Sequence, residues 1–140
     1  MTKFNLYVPI LVRYGDLDPQ WHVNNSRFVT FIEQARFEYL LKADLWDGED
    51  FFNLGLIVAD QHIAYIGQIF MTQKIHVGVG VTRIGNKSLT FEYTIEDQDT
   101  GQALAKAETI MVAYDYHNHT SIPVSAEWRQ KISSFEGIPF

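Results

Sequence analysis

Residues 4–13 hold Tyr7, Val8, Ile10, Leu11 and Val12 in close succession, a run that predicts a strand. From Arg27 to about Ala43 the period changes. Phe28, Phe31, Ile32, Ala35 and Tyr39 recur at helical spacing and fall within one narrow arc. Glu33, Phe37, Leu40 and Leu41 lie off that arc, so the helix is apolar on more than one side. Such a helix is expected to be deeply buried, against a sheet and a second subunit. A connector over residues 44–54 follows. Beyond it, residues 56–66, 72–84, 87–96 and 102–116 are rich in β-branched and aromatic types and predict four strands. Gly85-Asn86 and the segment from Asp97 to Gly101 are turn signals, which makes the last three strands an antiparallel meander. Ser125 is placed to start a short terminal helix over residues 125–135. Strand, long helix and four strands predict an α+β layer: one helix against one strongly curved antiparallel sheet.

One segment breaks this patterning. Arg13-Tyr14-Gly15-Asp16-Leu17-Asp18-Pro19-Gln20-Trp21-His22-Val23-Asn24-Asn25 packs two acids, an imidazole and two amides between the first strand and the helix. Asn24, Asn25 or Ser26 can cap the helix that follows. The first turn of that helix presents backbone N–H groups without partners, and these attract negative charge. A carboxylate beside them can attack a carbonyl, or activate water against it, while the N–H groups hold its oxygen. Asp18 precedes Pro19, so its plainest role is that of a turn acid. Asp16 is expected to bond loop N–H groups. His22 is expected either to bond the backbone or to orient Asp18 or the substrate.

Composition narrows the field. The formal net charge of -6 argues against nucleic acid as a partner, because phosphate binding needs a basic face. There are no cysteines, hence no thiolate metal site and no Cys nucleophile. Ten Phe, seven Tyr and three Trp favour a large core together with an apolar pocket or a subunit interface. No apolar run reaches the roughly 18 residues of a membrane helix, and the first residues lack a signal-peptide layout, so a cytoplasmic protein without membrane association is expected. The 140 residues are expected to form a single domain, 1–140.

The strand–helix–four-strand order, with Asp16-Leu17-Asp18-Pro19, His22-Val23-Asn24-Asn25 and Glu33-Gln34-Ala35-Arg36 in series, resembles the hotdog fold. More narrowly, it resembles the 4-hydroxybenzoyl-CoA thioesterase-like family of acyl-CoA thioesterases. The resemblance implies a curved antiparallel sheet of about five strands wrapped around one long central helix. It also implies hydrolysis of a fatty or aromatic acyl-CoA to free acid and CoA. Asp18 takes the place of the catalytic carboxylate and the backbone N–H of Asn25 that of the carbonyl donor, with active sites between two subunits. A homodimer at least, or a homotetramer, is therefore expected. CoA is part of the substrate, and no separate cofactor is expected. In this family the turn after the third strand lies near the CoA phosphates, which draws attention to Arg83, Lys87 and Ser88; two cations and a hydroxyl suit phosphate. Many members carry Pro soon after the Tyr of the second strand, where this chain has Tyr65-Ile66-Gly67.

The remaining polar positions carry weaker expectations. Glu33 and Arg36 are one turn apart and can pair, and Glu33 is the reserve catalytic acid, since some hotdog thioesterases use an acid on this helix. Asp60 and His62 share one face of a regular strand and are expected to line the acyl pocket, or else to mark a sheet edge or a dimer contact. His117 and His119 alternate as two ligands on a strand do, but no third ligand is adjacent, so no metal is expected. Three alternatives stand beside acyl-CoA hydrolysis: an acyl-carrier-protein thioesterase, a hotdog enoyl hydratase, and a non-catalytic acyl-CoA-binding module. The hydratase signature Gly-Asp-x-Asn-Pro-x-His differs from Gly15–His22 by Asp for Asn and one extra residue. In hydratases that segment also follows the long helix, whereas here it precedes it.

Overall fold

A computed structural model describes residues 4–140. Its elements are β1 (Leu6–Ile10), α1 (Asn25–Lys42), β2 (Leu56–Tyr65), β3 (Ile75–Ile84), β4 (Ser88–Asp97), β5 (Ala103–Asp115), β6 (Thr120–Ser121) and α2 (Ala126–Glu136), with single 3-10 turns at Tyr14–Asp16 and Phe51–Asn53. The main sheet runs β1-β3-β4-β5-β2, antiparallel throughout, with β6 added to β5. The expected α+β class is found, with a six-stranded sheet where about five strands were expected. The first strand is shorter than its apolar run, because the chain leaves the sheet after Ile10 to enter the polar segment.

The five arc residues of α1, Phe28, Phe31, Ile32, Ala35 and Tyr39, are all buried. They meet Val77, Val79, Val81, Phe91, Tyr93, Ile95 and Ala105 from one face of the sheet in a single core cluster. Off the arc, Arg36 and Leu40 are buried too, which explains the broad apolar face of the helix. Arg36 is accommodated because its Nη1 donates to the hydroxyl of Tyr93, which in turn pairs with Thr109 Oγ1 at 2.8 Å. Asn24 caps α1 by accepting from Ser26 N–H at 2.9 Å. At Gly85 in the β3–β4 turn a Cβ would sit 2.7 Å from Ser88 Oγ, so a larger residue there would have to turn that hydroxyl aside.

α2 starts at the expected Ser125 cap, whose hydroxyl accepts from Trp128 N–H. It lies against β3 where β1 has ended. There Glu136 accepts from the edge amide of Val81 at 3.0 Å and from Tyr39 hydroxyl at 2.6 Å. One side chain thus satisfies a sheet edge and ties both helices together. At the opposite side of the sheet β2 is an edge strand, and most of its residues are exposed. No helix of the described residues is long and apolar enough to cross a membrane.

Candidate active site

The polar segment folds as a small hairpin closed by backbone bonds. Asp18 N–H donates to His22 carbonyl at 2.9 Å, Trp21 N–H donates to Asp18 carbonyl at 3.0 Å, and Leu17 pairs with Val23. This is a three-residue loop, Pro19-Gln20-Trp21, in which a turn is followed by a left-handed residue. Trp21 occupies that position with φ 65, where Gly or Asn is the usual choice, at a cost of about 1–2 kcal/mol. The strain falls beside the carboxylate that the sequence singles out. Inside the loop, Asp18 Oδ1 accepts from Gln20 N–H at 3.0 Å and from His22 N–H at 3.4 Å. With its amide nitrogen turned inward, the Gln20 side chain lies 3.3 Å from both carboxylate oxygens. Asp18 is therefore a turn acid, and the turn is what aims it.

What it is aimed into is an open groove of about 460 Å³. Asp18, His22, Asn25, Phe28, Tyr65 and Gly67 are among its walls. Asn25 is the first residue of α1, and its N–H has no acceptor among the described residues because the Asn24 side chain caps Ser26 instead. An ionisable oxygen and an unspent helix donor thus open onto the same space. Polarising a carbonyl beside a base or nucleophile calls for these two kinds of group.

Asp16 does not belong to this groove. It is almost fully buried, accepts from Arg13 N–H at 2.9 Å, and lies 3.8 and 3.7 Å from the Arg13 and Arg27 guanidinium groups. Its carbonyl also accepts from Asn24 N–H. It fixes the start of α1 relative to the loop, as expected of a structural acid. His22 supports Asp18 through its backbone rather than its ring. The imidazole packs edge-on to Phe70 at 5.2 Å and makes no hydrogen bond among the described residues.

Other expected site residues lie elsewhere within the protomer. Glu33 is two turns further along α1, lines a different cavity of about 580 Å³, and approaches Arg36 to 4.0 Å. Arg83, Lys87 and Ser88 flank the β3–β4 turn, at the opposite end of the sheet from Tyr65. The pairings Tyr65–Ala105–Ile95 and Ser88–Val112–Ile57 set the two regions roughly 20 Å apart along β4. Lys87 Nζ donates to Ser121 Oγ at 3.3 Å. Asp60 and His62 line neither the groove nor the larger cavity. A bulge between Val58 and Asp60 shifts the alternation, so that Gln61, Ile63 and Tyr65 sit opposite the core-facing Thr109, Ala107 and Ala105. Asp60 and His62 are exposed on the other face of an edge strand, away from both cavities of the single chain. His117 and His119 are exposed, and no group of metal-ligating side chains is assembled among the described residues.

The structure adds groups to the groove that the motif did not name. Tyr65 hydroxyl donates to Asn25 carbonyl at 3.3 Å, and its ring meets Phe28 edge-on at 5.1 Å. Just beyond Tyr65, the N–H groups of Ile66 and Gly67 both donate to Leu104 carbonyl at 2.9 Å. A Cβ at Gly67 would come 3.1 Å from Leu104 Cδ2, so the residue allows a close approach to β5. The only signal for these positions in the sequence was Tyr65 at the end of a strand pattern.

Known proteins resemble this chain over nearly its whole length. The family model described as the Thioesterase-like superfamily matches residues 12–132. The long-chain acyl-CoA thioesterase FadM of Escherichia coli K12 is 26% identical over 123 residues, 88% of this chain and 93% of its own. A thioesterase from Thermus thermophilus, solved with coenzyme A and zinc, superposes with a TM-score of 0.85 at 30% identity, over 99% of this chain and 100% of its own. The structure of a predicted thioesterase from Bacillus stearothermophilus superposes with a TM-score of 0.82 at 25% identity, over 96% and 98%. With the match running from the Asp18 loop through α1 and the whole meander into α2, this chain is a member of the thioesterase-like superfamily, built on the hotdog fold.

Proposed function

We propose that this protein hydrolyses acyl-CoA thioesters, with Asp18 as the carboxylate and Asn25 N–H as the carbonyl donor. The observation that carries the reading is their shared groove: an acceptor aimed by its own turn and a helix donor with nothing else to bind. The thioester carbonyl accepts from Asn25 N–H. Asp18 takes a proton from water, whose oxygen attacks the carbonyl carbon, or attacks that carbon itself to give an anhydride that water then opens. The negative oxygen that develops is stabilised by the end of α1. The C–S bond breaks, the thiolate of CoA leaves and is protonated, and the free acid remains. No cofactor is needed, since CoA arrives as part of the substrate. The CoA-bound Thermus thermophilus thioesterase and FadM support this substrate class. The acidic net charge favours CoA over an acidic carrier protein.

The functional unit is a homodimer joined along β2. Among the described residues this strand presents an unpaired edge with Val58 and Tyr65 exposed, which proteins rarely leave open. Two β2 strands paired antiparallel bring the Leu56 end of one protomer beside the Tyr65 end of the other. The partner's larger apolar cavity then adjoins the Asp18 groove and takes the acyl group. The partner's β3–β4 turn likewise comes within reach of the CoA phosphates, which is how Arg83, Lys87 and Ser88 serve a site that their own protomer holds at a distance. Lys87→Ala is expected to raise KM for acyl-CoA about three- to tenfold with kcat nearly unchanged, since it removes binding common to ground and transition states. An unchanged KM in steady-state assays takes the turn out of the CoA site.

A panel of acyl-CoA thioesters of different length and aromaticity, followed by free-thiol release, tests the activity itself. Turnover of at least one member is expected. A protein that binds the panel without releasing thiol is an acyl-CoA-binding module.

A further inference from the structure

We infer that Tyr65 is a positioning residue for the thioester carbonyl. Its hydroxyl ties the end of β2 to the first carbonyl of α1 and so fixes the direction of Asn25 N–H. The inference rests on the function proposed above. Tyr65 hydroxyl lies 3.3 Å from Asn25 carbonyl oxygen, in the wall of the groove that Asp18 enters. The N–H and the C=O of one residue are separated by only two soft dihedrals, so holding Asn25 carbonyl restricts where its N–H points. The first turn of a helix otherwise has a free outer face, since its leading N–H groups lack intrahelical acceptors. A carbonyl has two lone pairs. The helix uses one, and the tyrosine takes the other.

The anchor is itself held. Phe28 meets the Tyr65 ring at 5.1 Å, and the paired donation of Ile66 and Gly67 to Leu104 carbonyl pins the backbone just beyond it. Folding does not require the hydroxyl bond. Tyr65 is 48% exposed within the single chain, so burial there does not force the bond on it. The bond gains meaning from what it orients. Among the described residues Asn25 N–H is left free at the helix start, and it is the donor proposed to meet the substrate carbonyl.

Tyr65→Phe removes the hydroxyl and keeps the ring on Phe28. The experiment uses two non-hydrolysable CoA analogues of equal chain length. One is a ketone with a methylene between sulfur and carbonyl; the other is an S-alkyl thioether with no carbonyl. Calorimetric titration of the wild type and Tyr65→Phe is expected to show the ketone weakened about three- to tenfold and the thioether changed less than about twofold, as the loss of one aligned hydrogen bond implies. In steady state, KM for the thioester rises by a similar factor and kcat/KM falls at least as far. Thioether binding also reports that the variant is folded. Equal weakening of both analogues, or of neither, overturns the inference. Wild-type protein that binds both analogues but hydrolyses no thioester overturns the proposed function instead, and the difference between the analogues still reads the role of Tyr65.

Discussion

Asp18→Asn is expected to lose about a hundred- to ten-thousand-fold in thioester turnover, the usual worth of a positioned acid or base, while melting within a degree or two of the wild type. Asparagine is the sharper replacement than alanine. Its side-chain oxygen can still accept from Gln20 and His22 N–H, so the Pro19-Gln20-Trp21 loop keeps its shape and only the ionisable oxygen is lost. Alanine would strip those two donors of their acceptor in a loop that already carries a left-handed tryptophan, and a fall in activity would then mix chemistry with folding. The measurement is kcat and KM on the best acyl-CoA of the panel, with circular dichroism melts of both proteins. A variant turning over at near the wild-type rate removes Asp18 from the chemistry.

The sequence made that site legible for a physical reason. A carboxylate, a cap and a helix start are all local, so their arrangement follows from residues close together in the chain. The five-residue arc of α1 was readable on the same ground, and so was the meander, whose turns announce themselves at Gly85 and Asp97–Gly101. Non-local facts were less accessible. The face taken by Asp60 and His62 depends on a bulge at Val58–Asp60, which inverts a two-residue alternation that looks regular in the sequence. The part played by Tyr65 depends on the end of β2 arriving beside the first turn of α1, forty residues earlier in the chain. The separation of the β3–β4 turn from Asp18 follows from strand register, which no local pattern specifies. Arg36 was legible as half of an ion pair with Glu33. Its stronger partner, Tyr93, lies 57 positions away and appears only when the sheet is built.

That buried phenol and a second one set the alkaline limit of the fold. Burial pushes the Tyr39 hydroxyl far above the ordinary tyrosine range, and its hydrogen bond to Glu136 and the nearby negative charge push the same way. Burial raises Tyr93 as well, against the opposing pull of Arg36 and Thr109. Both groups therefore stay protonated in the folded protein at a pH where the unfolded chain, with phenols near about 10, has begun to ionise. Raised folded-state values give stability that is complete below about pH 10 and drains away as pH rises beyond it. A phenol that stays protonated in the fold while the unfolded chain ionises costs up to about 1.4 kcal/mol per pH unit. Urea unfolding at several pH values between about 9 and 11.5 is expected to show this fall. Tyr39→Phe and Tyr93→Phe should each make the slope shallower. Their neutral-pH stabilities should differ. Tyr93→Phe leaves the buried Arg36 Nη1 and Thr109 hydroxyl without their shared partner, at about 1–3 kcal/mol, whereas in Tyr39→Phe the Glu136 carboxylate keeps Val81 N–H and the stacked ring at Phe135 remains. An alkaline slope untouched by either substitution shows that these phenols do not control the transition. A reduced slope in both variants, with the larger neutral-pH loss in Tyr93→Phe, ties the high-pH limit of the protein to the layer that seats α1 on its sheet.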